Sequence, residues 1–129
     1  MRISFDFDNC LSHKRVQDIA KDLIGKGYEV WIVTSRFDNL NRLAYPDLKP
    51  NSDIYKVATE LGIPQHRIGF TNQQPKWILL NKGNFSIHVD DDKKELDSVR
   101  YYGIVKGVGT SYPGWYEGLY EHIKATEEF

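Results

Sequence analysis

The sequence predicts an α/β protein: a three-layer α/β/α sandwich built on a parallel sheet of about five strands. Three observations carry this. Short apolar runs rich in β-branched and aromatic residues recur at 3–7, 28–33, 67–70, 85–89 and 104–108. Between them lie segments with the apolar period of amphipathic helices. The connections are too long for hairpins and suit right-handed crossovers between parallel strands. There is no internal repeat or low-complexity segment, so residues 1–129 are expected to form one domain with a substantial core.

In the first run, Ile3, Phe5 and Phe7 alternate with polar or acidic positions. Asp6 and Asp8 are therefore expected to leave one strand on the same side, at its C-terminal end. Two carboxylates so close repel unless a cation or a shared proton relieves them. A hard divalent cation such as Mg²⁺ is the simplest relief. Next, Val16, Ile19, Ala20, Leu23 and Ile24 follow helical spacing, with Ser12 as N-cap and Gly25 and Gly27 as the stop. The run 28–33 reads as a buried strand that delivers the Thr34 hydroxyl at its end, followed by Ser35 and Arg36.

Residues 36–50, with Pro46 and Pro50, read as a loop holding one helical turn near 39–43. Asn51 and Ser52 cap a helix that buries Ile54, Val57, Ala58 and Leu61, ended by Gly62 and Pro64. The short strand 67–70 ends in Thr71 and Asn72. Pro75 suits the first turn of a helix over 76–82. The strand 85–89 runs into Asp90, Asp91 and Asp92, and a helix over 93–102 buries Leu96 and Val99. After the last strand, the aromatic-rich 112–129 ends in a helix that turns Trp115, Leu119 and Ile123 inward.

Composition removes some function classes. At 40% hydrophobic and 27% charged the chain has the balance of a soluble globular protein. A formal net charge of −1 gives no general pull toward nucleic acid or an anionic membrane. The single cysteine, Cys10, rules out an internal disulfide and suits a reducing compartment. The opening MRISFDFDN lacks a signal-peptide core, and no apolar run approaches membrane-spanning length. The expectation is a cytoplasmic protein without a membrane partner.

Polar groups gather at predicted strand ends: Asp6 and Asp8, Thr34 and Ser35, the turn from Thr71 to Lys76, and Asp90 with Asp91. In parallel α/β sheets that edge binds ligands. Such groups are parts for handling a phosphoryl group. Carboxylates hold Mg²⁺, which offsets phosphate charge. One carboxylate can attack phosphorus and another can exchange a proton with the leaving oxygen. A hydroxyl, backbone N–H groups and a lysine can bond the phosphoryl oxygens.

The order of these residues resembles the haloacid dehalogenase-like (HAD) phosphohydrolase superfamily over about residues 1–110. The run Asp6-Phe7-Asp8-Asn9-Cys10 is similar to its DxDx[TV] motif, Thr34 to the hydroxyl closing its second strand. Lys76 resembles its helix-start lysine, and Asp90-Asp91 its acidic pair. The resemblance implies a Rossmann-like HAD fold, with Asp6 as nucleophile and Mg²⁺ ligand. Asp8 would be general acid and then base, also binding Mg²⁺ through its backbone carbonyl. Thr34 and Lys76 would steady the phosphoryl group. Asp91 is favoured as the direct ligand with Asp90 behind it, through water; the two roles can be exchanged. Asp92 is expected to be a helix N-terminal acid.

Two positions depart from the motif. Cys10 stands where Thr or Val is usual and is expected to pack; Asn9 replaces a frequent Gly and tolerates positive φ. His88, inside a strand, reads as a packed or hydrogen-bonded core histidine, and His13, His66 and His122 show no ligand spacing. The aromatic residues Tyr112, Trp115, Tyr116 and Tyr120 read as packing, with a base-stacking platform as the alternative. No segment has room for a separate cap domain, so the site is expected to be open. In this family an open site goes with large substrates or with oligomers. Ser35, Arg36, Arg42 and Tyr45 are candidate substrate contacts.

The expected function is thus a capless, Mg²⁺-dependent phosphatase acting on a phosphate monoester, with nucleotides and nucleic-acid ends among the substrate classes. A HAD-like binding or scaffold protein without turnover is the alternative. A receiver-type signalling domain is rejected by order, since receivers carry their acidic pair after the first strand.

Overall fold

Five short apolar segments form one sheet in the computed structural model, which describes residues 1–128. They are β1 (Arg2–Phe5), β2 (Glu29–Thr34), β3 (Ile68–Phe70), β4 (Ile87–Asp90) and β5 (Lys106–Gly109). Their order is β3-β2-β1-β4-β5, and every neighbouring pair is parallel. The connections carry α1 (Lys14–Gly25), the single turn α2 (Asn39–Arg42), α3 (Ser52–Leu61), α4 (Lys76–Lys82), α5 (Lys93–Tyr102) and α6 (Trp115–Glu127). This is the Rossmann-like α/β arrangement that the alternation of strands and helices predicts.

A parallel sheet needs cover on both faces, and adjacent strand residues supply it. Ile32 joins a core with Ile3, Phe5, Ile87 and Val89, closed by Val16, Ala20 and Leu23 of α1, Ile54 and Ala58 of α3, and Leu119 and Ile123 of α6. Val33, its neighbour on β2, faces the other way. It joins a second core with Leu80 of α4, Val99 of α5, Phe85 and Val105. Leu23 is fully buried in the first core. Leu23→Ala should therefore lower unfolding free energy by about 2–5 kcal/mol, read from a denaturant midpoint. Trp115, Leu119 and Ile123 are all buried, as their spacing predicts.

The chain leaves the predicted pattern at three places. β1 stops at Phe5, so Asp6 and Asp8 do not project from one side of a strand. A wide turn over Phe7–Leu11 follows instead, closed by Leu11 N–H donating to Asp6 O at 3.0 Å and Ser12 N–H to Phe7 O at 2.9 Å. Asn9 takes a φ of 56° inside it, the left-handed conformation its side chain tolerates. Because Ser12 completes that turn, it does not cap α1; His13 occupies the cap position without a side-chain bond. The last strand begins at Lys106, leaving Ile104 exposed. Among the described residues no helix is long and apolar enough to cross a membrane.

Candidate active site

The register that pairs Phe5 with Val89 sets Asp6 beside Asp90, and Asp6 N–H donates to Val89 O at 2.8 Å. This is where the strand order reverses, between β1 and β4, the crevice in which such sheets bind ligands. Lys76, the first residue of α4, is drawn into the same place. Its side chain is 2% exposed, and Nζ donates to Asp6 Oδ1 and to Asp90 Oδ2, each at 2.7 Å. Ionised groups are rarely buried this deeply without partners, and here each supplies the other's.

Asp90 is held from three sides. Its Oδ2 also accepts from His88 Nε2 at 2.8 Å, and its Oδ1 accepts from Asp92 N–H at 3.0 Å. His88 lies two residues before Asp90 on β4, so both side chains share the face covered by α4 and α5. A carboxylate only accepts, so Nε2 carries the hydrogen and Nδ1 accepts from Ser4 Oγ at 2.7 Å. Burial lowers the His88 pKa, which agrees with a neutral ring. Burial works against the Asp90 carboxylate, yet His88 and Lys76 hold it well below the usual carboxylate range.

Asp91 completes an acidic triad. Asp6, Asp90 and Asp91 each offer a carboxylate oxygen, and these oxygens lie within 4.8 Å of one another. One lysine against three carboxylates leaves excess negative charge. Asp6 accordingly has its pKa pushed up to about 8 by burial, with Lys76 opposing and Asp90 and Asp91 adding to the rise. Over the triad lies a small cavity of about 170 Å³ whose wall includes Asn9, Ser35, Lys76 and Glu95. Glu95, in the first turn of α5, accepts from the Lys76 backbone N–H at 3.3 Å. Asp92 caps α5, its side chain accepting from Lys94 N–H at 2.9 Å.

Asp8 stands apart from the triad. It is exposed, at the rim of the same cavity, and Arg36 grips it with two bonds, Nε to Oδ2 at 2.9 Å and Nη2 to Oδ1 at 2.6 Å. The other edge of Arg36 grips Asp53 of α3 at 2.8 and 2.9 Å, and its guanidinium lies 5.2 Å from the centre of the Phe7 ring. Arg36 thus commits its donors to two carboxylates of the chain itself. The Asp53 carboxyl is held well below its usual range by that contact.

The remaining predicted residues divide. Thr34 is buried and its Oγ1 accepts from Arg36 N–H at 3.3 Å; the neighbouring Ser35, not Thr34, lines the acidic cavity. Arg42 lines an adjoining cavity of about 460 Å³, and Tyr45 stacks on Phe37 with ring centres 4.8 Å apart. The Cys10 thiol is buried against Val89 O at 3.8 Å, and burial pushes its pKa up, as expected of a packing residue.

Three members of the constellation, Asp53, Glu95 and the His88 contact to Asp90, lie outside the sequence prediction. The separation of two between His88 and Asp90 in a strand is a signal for the last of these. Asp53 and Glu95 carry none, since acids in a first helical turn are common on dipole grounds alone. Compared with protein-family models, curated proteins and solved structures, the chain gives no match.

Proposed function

We propose that the chain is a Mg²⁺-dependent phosphatase of the HAD type, hydrolysing a phosphate monoester through an aspartyl-phosphate on Asp6. The buried bridge from Lys76 to Asp6 and Asp90, at the C-terminal ends of neighbouring central strands, is the observation that carries this reading. The donor set fits a hard divalent cation: carboxylate oxygens gathered within 4.8 Å, carrying more negative charge than one lysine offsets. Asp6 and Asp91 would hold it. Asp90, whose oxygens already accept from Lys76, His88 and Asp92, would brace the site from behind. When bound, Mg²⁺ would offset the phosphate charge and leave phosphorus open to attack.

Asp6 then attacks phosphorus, and the bond from phosphorus to the ester oxygen breaks. Asp8 gives a proton to that leaving oxygen once substrate has drawn Arg36 off it, because a carboxylate held by both guanidinium bonds has no proton to give. In the second half, water attacks the phosphorus of the aspartyl-phosphate, Asp8 accepts the water's proton, and the Asp6 carboxylate is regenerated. Lys76, against Asp6 Oδ1, supplies positive charge where the phosphoryl oxygens gather. Before substrate arrives, Arg36 holds Asp8 at the rim of the cavity. The receiver alternative is further disfavoured by topology, since doubly wound sheets of that type run 2-1-3-4-5 and this one runs 3-2-1-4-5.

Purified protein should hydrolyse p-nitrophenyl phosphate with Mg²⁺, stop with EDTA and resume when Mg²⁺ is restored. Absence of turnover across a broad phosphomonoester panel would favour the binding or scaffold reading instead. Linkage gives a second test. The Asp6 pKa in the cation-free fold, about 8, lies above its ordinary 3.8, so the folded chain keeps a proton that the unfolded chain releases. Cation-free stability should therefore fall as pH rises through that window. The rise in melting temperature on adding Mg²⁺ should be larger at pH 8 than at pH 5; an equal rise at both would count against Asp6 as a ligand.

A further inference from the structure

We propose that His88 is a positioning residue for Lys76, holding Asp90 so that this carboxylate aims the lysine at Asp6. Its part in turnover rests on the phosphatase reading above. Four side chains form one hydrogen-bonded path through the interior. Ser4 Oγ meets His88 Nδ1 at 2.7 Å, His88 Nε2 meets Asp90 Oδ2 at 2.8 Å, and Lys76 Nζ meets the same Oδ2 at 2.7 Å. The register builds the path by pairing Ser4 with His88 across β1 and β4, and strand alternation puts Asp90 on the face of His88. Serine, histidine and aspartate in this order have the composition of a nucleophilic triad. All three are 0% exposed, so no substrate reaches the Ser4 hydroxyl. The path acts on the neighbouring site instead.

Stability alone gives no reason for these polar groups. The same face of the sheet packs Val33, Leu80, Phe85, Val99 and Val105. Replacing both members of a buried hydrogen-bonded pair by apolar side chains of the same shape can be nearly neutral or stabilising. What Ser4 and His88 supply is direction. A hydroxyl has one hydrogen, and Ser4 Oγ directs it to Nδ1, its other acceptor, Ile87 O, being at 3.4 Å. Nδ1 is thereby the acceptor, and Nε2 carries the ring hydrogen toward Asp90.

Asp90 is then fixed at both oxygens, by His88 at Oδ2 and by Asp92 N–H at Oδ1, 3.0 Å away. A lysine ammonium is a point charge on a flexible stem, so its acceptors set where it points. With Asp90 fixed, Nζ also lies 2.7 Å from Asp6 Oδ1, where the phosphoryl oxygens would gather. Without the His88 donor, the Asp90 carboxylate is free to turn and carry Lys76 away from Asp6.

Cation-free protein in EDTA tests the geometry by NMR. In the parent chain, proton–nitrogen spectra of the imidazole should show a hydrogen on His88 Nε2. A hydrogen on Nδ1 alone would overturn the proposal, because Asp90 would then receive none. His88→Gln places an amide N–H near the position of Nε2, whereas His88→Asn places one near Nδ1 and leaves Asp90 without it. The Lys76 ammonium, assigned by its absence in Lys76→Arg, should give a slowly exchanging signal in the parent and in His88→Gln. In His88→Asn that signal should weaken or vanish; an unchanged signal would overturn the proposal. Should His88→Asn not fold, Ser4→Ala decides: it releases the ring at Nδ1 and should weaken the same signal, and no change there would likewise count against His88.

Turnover supplies the second readout. With Mg²⁺ and an aryl phosphate, His88→Asn should lower kcat by about tenfold or more with KM little changed, and His88→Gln should recover most of the loss. Equal losses in the two variants would make His88 a packing residue only and overturn the proposal. Should the parent chain hydrolyse no phosphomonoester, the phosphatase reading fails, and the ring hydrogen and the Lys76 signal still decide whether His88 places Lys76.

Discussion

Asp6→Asn is expected to lower kcat/KM for an aryl phosphate by roughly 10³-fold or more, because a carboxamide is too weak a nucleophile to attack phosphorus. The same change should not unfold the protein. Asp6 is a buried carboxylate in a cluster where acids outnumber the lysine, and burial already raises its pKa. A neutral amide there removes repulsion with Asp90 and Asp91. In EDTA at pH 8, the variant should therefore melt no lower than the parent chain, and Mg²⁺ should raise its melting temperature less. Activity retained by folded Asp6→Asn would remove Asp6 from the chemistry.

Lys76→Met should have the opposite balance, damaging the fold as well as the reaction. The lysine side chain is buried to within 2% and contacts both Asp6 and Asp90. Removing it leaves two carboxylates in the interior without their counter-charge. Breaking a buried ion pair by deleting one partner destabilises by about 3–5 kcal/mol. That loss should appear in urea unfolding with EDTA present and should shrink when Mg²⁺ is added, since the cation takes over part of the charge. Even with the fold restored by Mg²⁺, kcat should stay about 10²-fold or more below the parent, for want of a donor at the phosphoryl oxygens. A variant as stable and active as the parent would show that the bridge is incidental.

The fold was legible in the sequence because the sheet is parallel and buried on both faces. Such strands must be apolar runs, and the helices covering them must carry an apolar stripe; both patterns can be read residue by residue. The pairing of Thr34 with Arg36 N–H, the wide turn after Phe5 and the start of α1 at Lys14 were less legible. They depend on φ at Asn9 and on which N–H closes which turn, and local composition does not determine that. Asp6, Lys76, Asp90 and Asp91 were recognisable as strand-end and helix-start polar residues, and the structure brings all four together. Asp8 and Arg36 were each singled out, but their mutual grip depends on Asp53, some distance along the chain.

The buried contacts behind the site were the least visible. His88 could be read as a core histidine, and it is one, but its partners Ser4 and Asp90 make it a prop for a site carboxylate. The pairing of Ser4 with His88 follows from the β1–β4 register. That register is fixed only when the sheet order is known. Asn51 illustrates the same limit. It occupies the N-cap position of α3, as its place in the chain suggested, but its side chain turns to Phe37 O and Asn39 instead of making a capping bond.

Trapping the covalent intermediate tests the central claim most directly. Protein quenched during turnover of an aryl phosphate with Mg²⁺, then reduced with borohydride and digested, should carry the reduced residue at Asp6 and nowhere else by peptide mass spectrometry. Reduction at another carboxylate, or none during demonstrated turnover, would contradict the assignment of Asp6 as the group that attacks phosphorus.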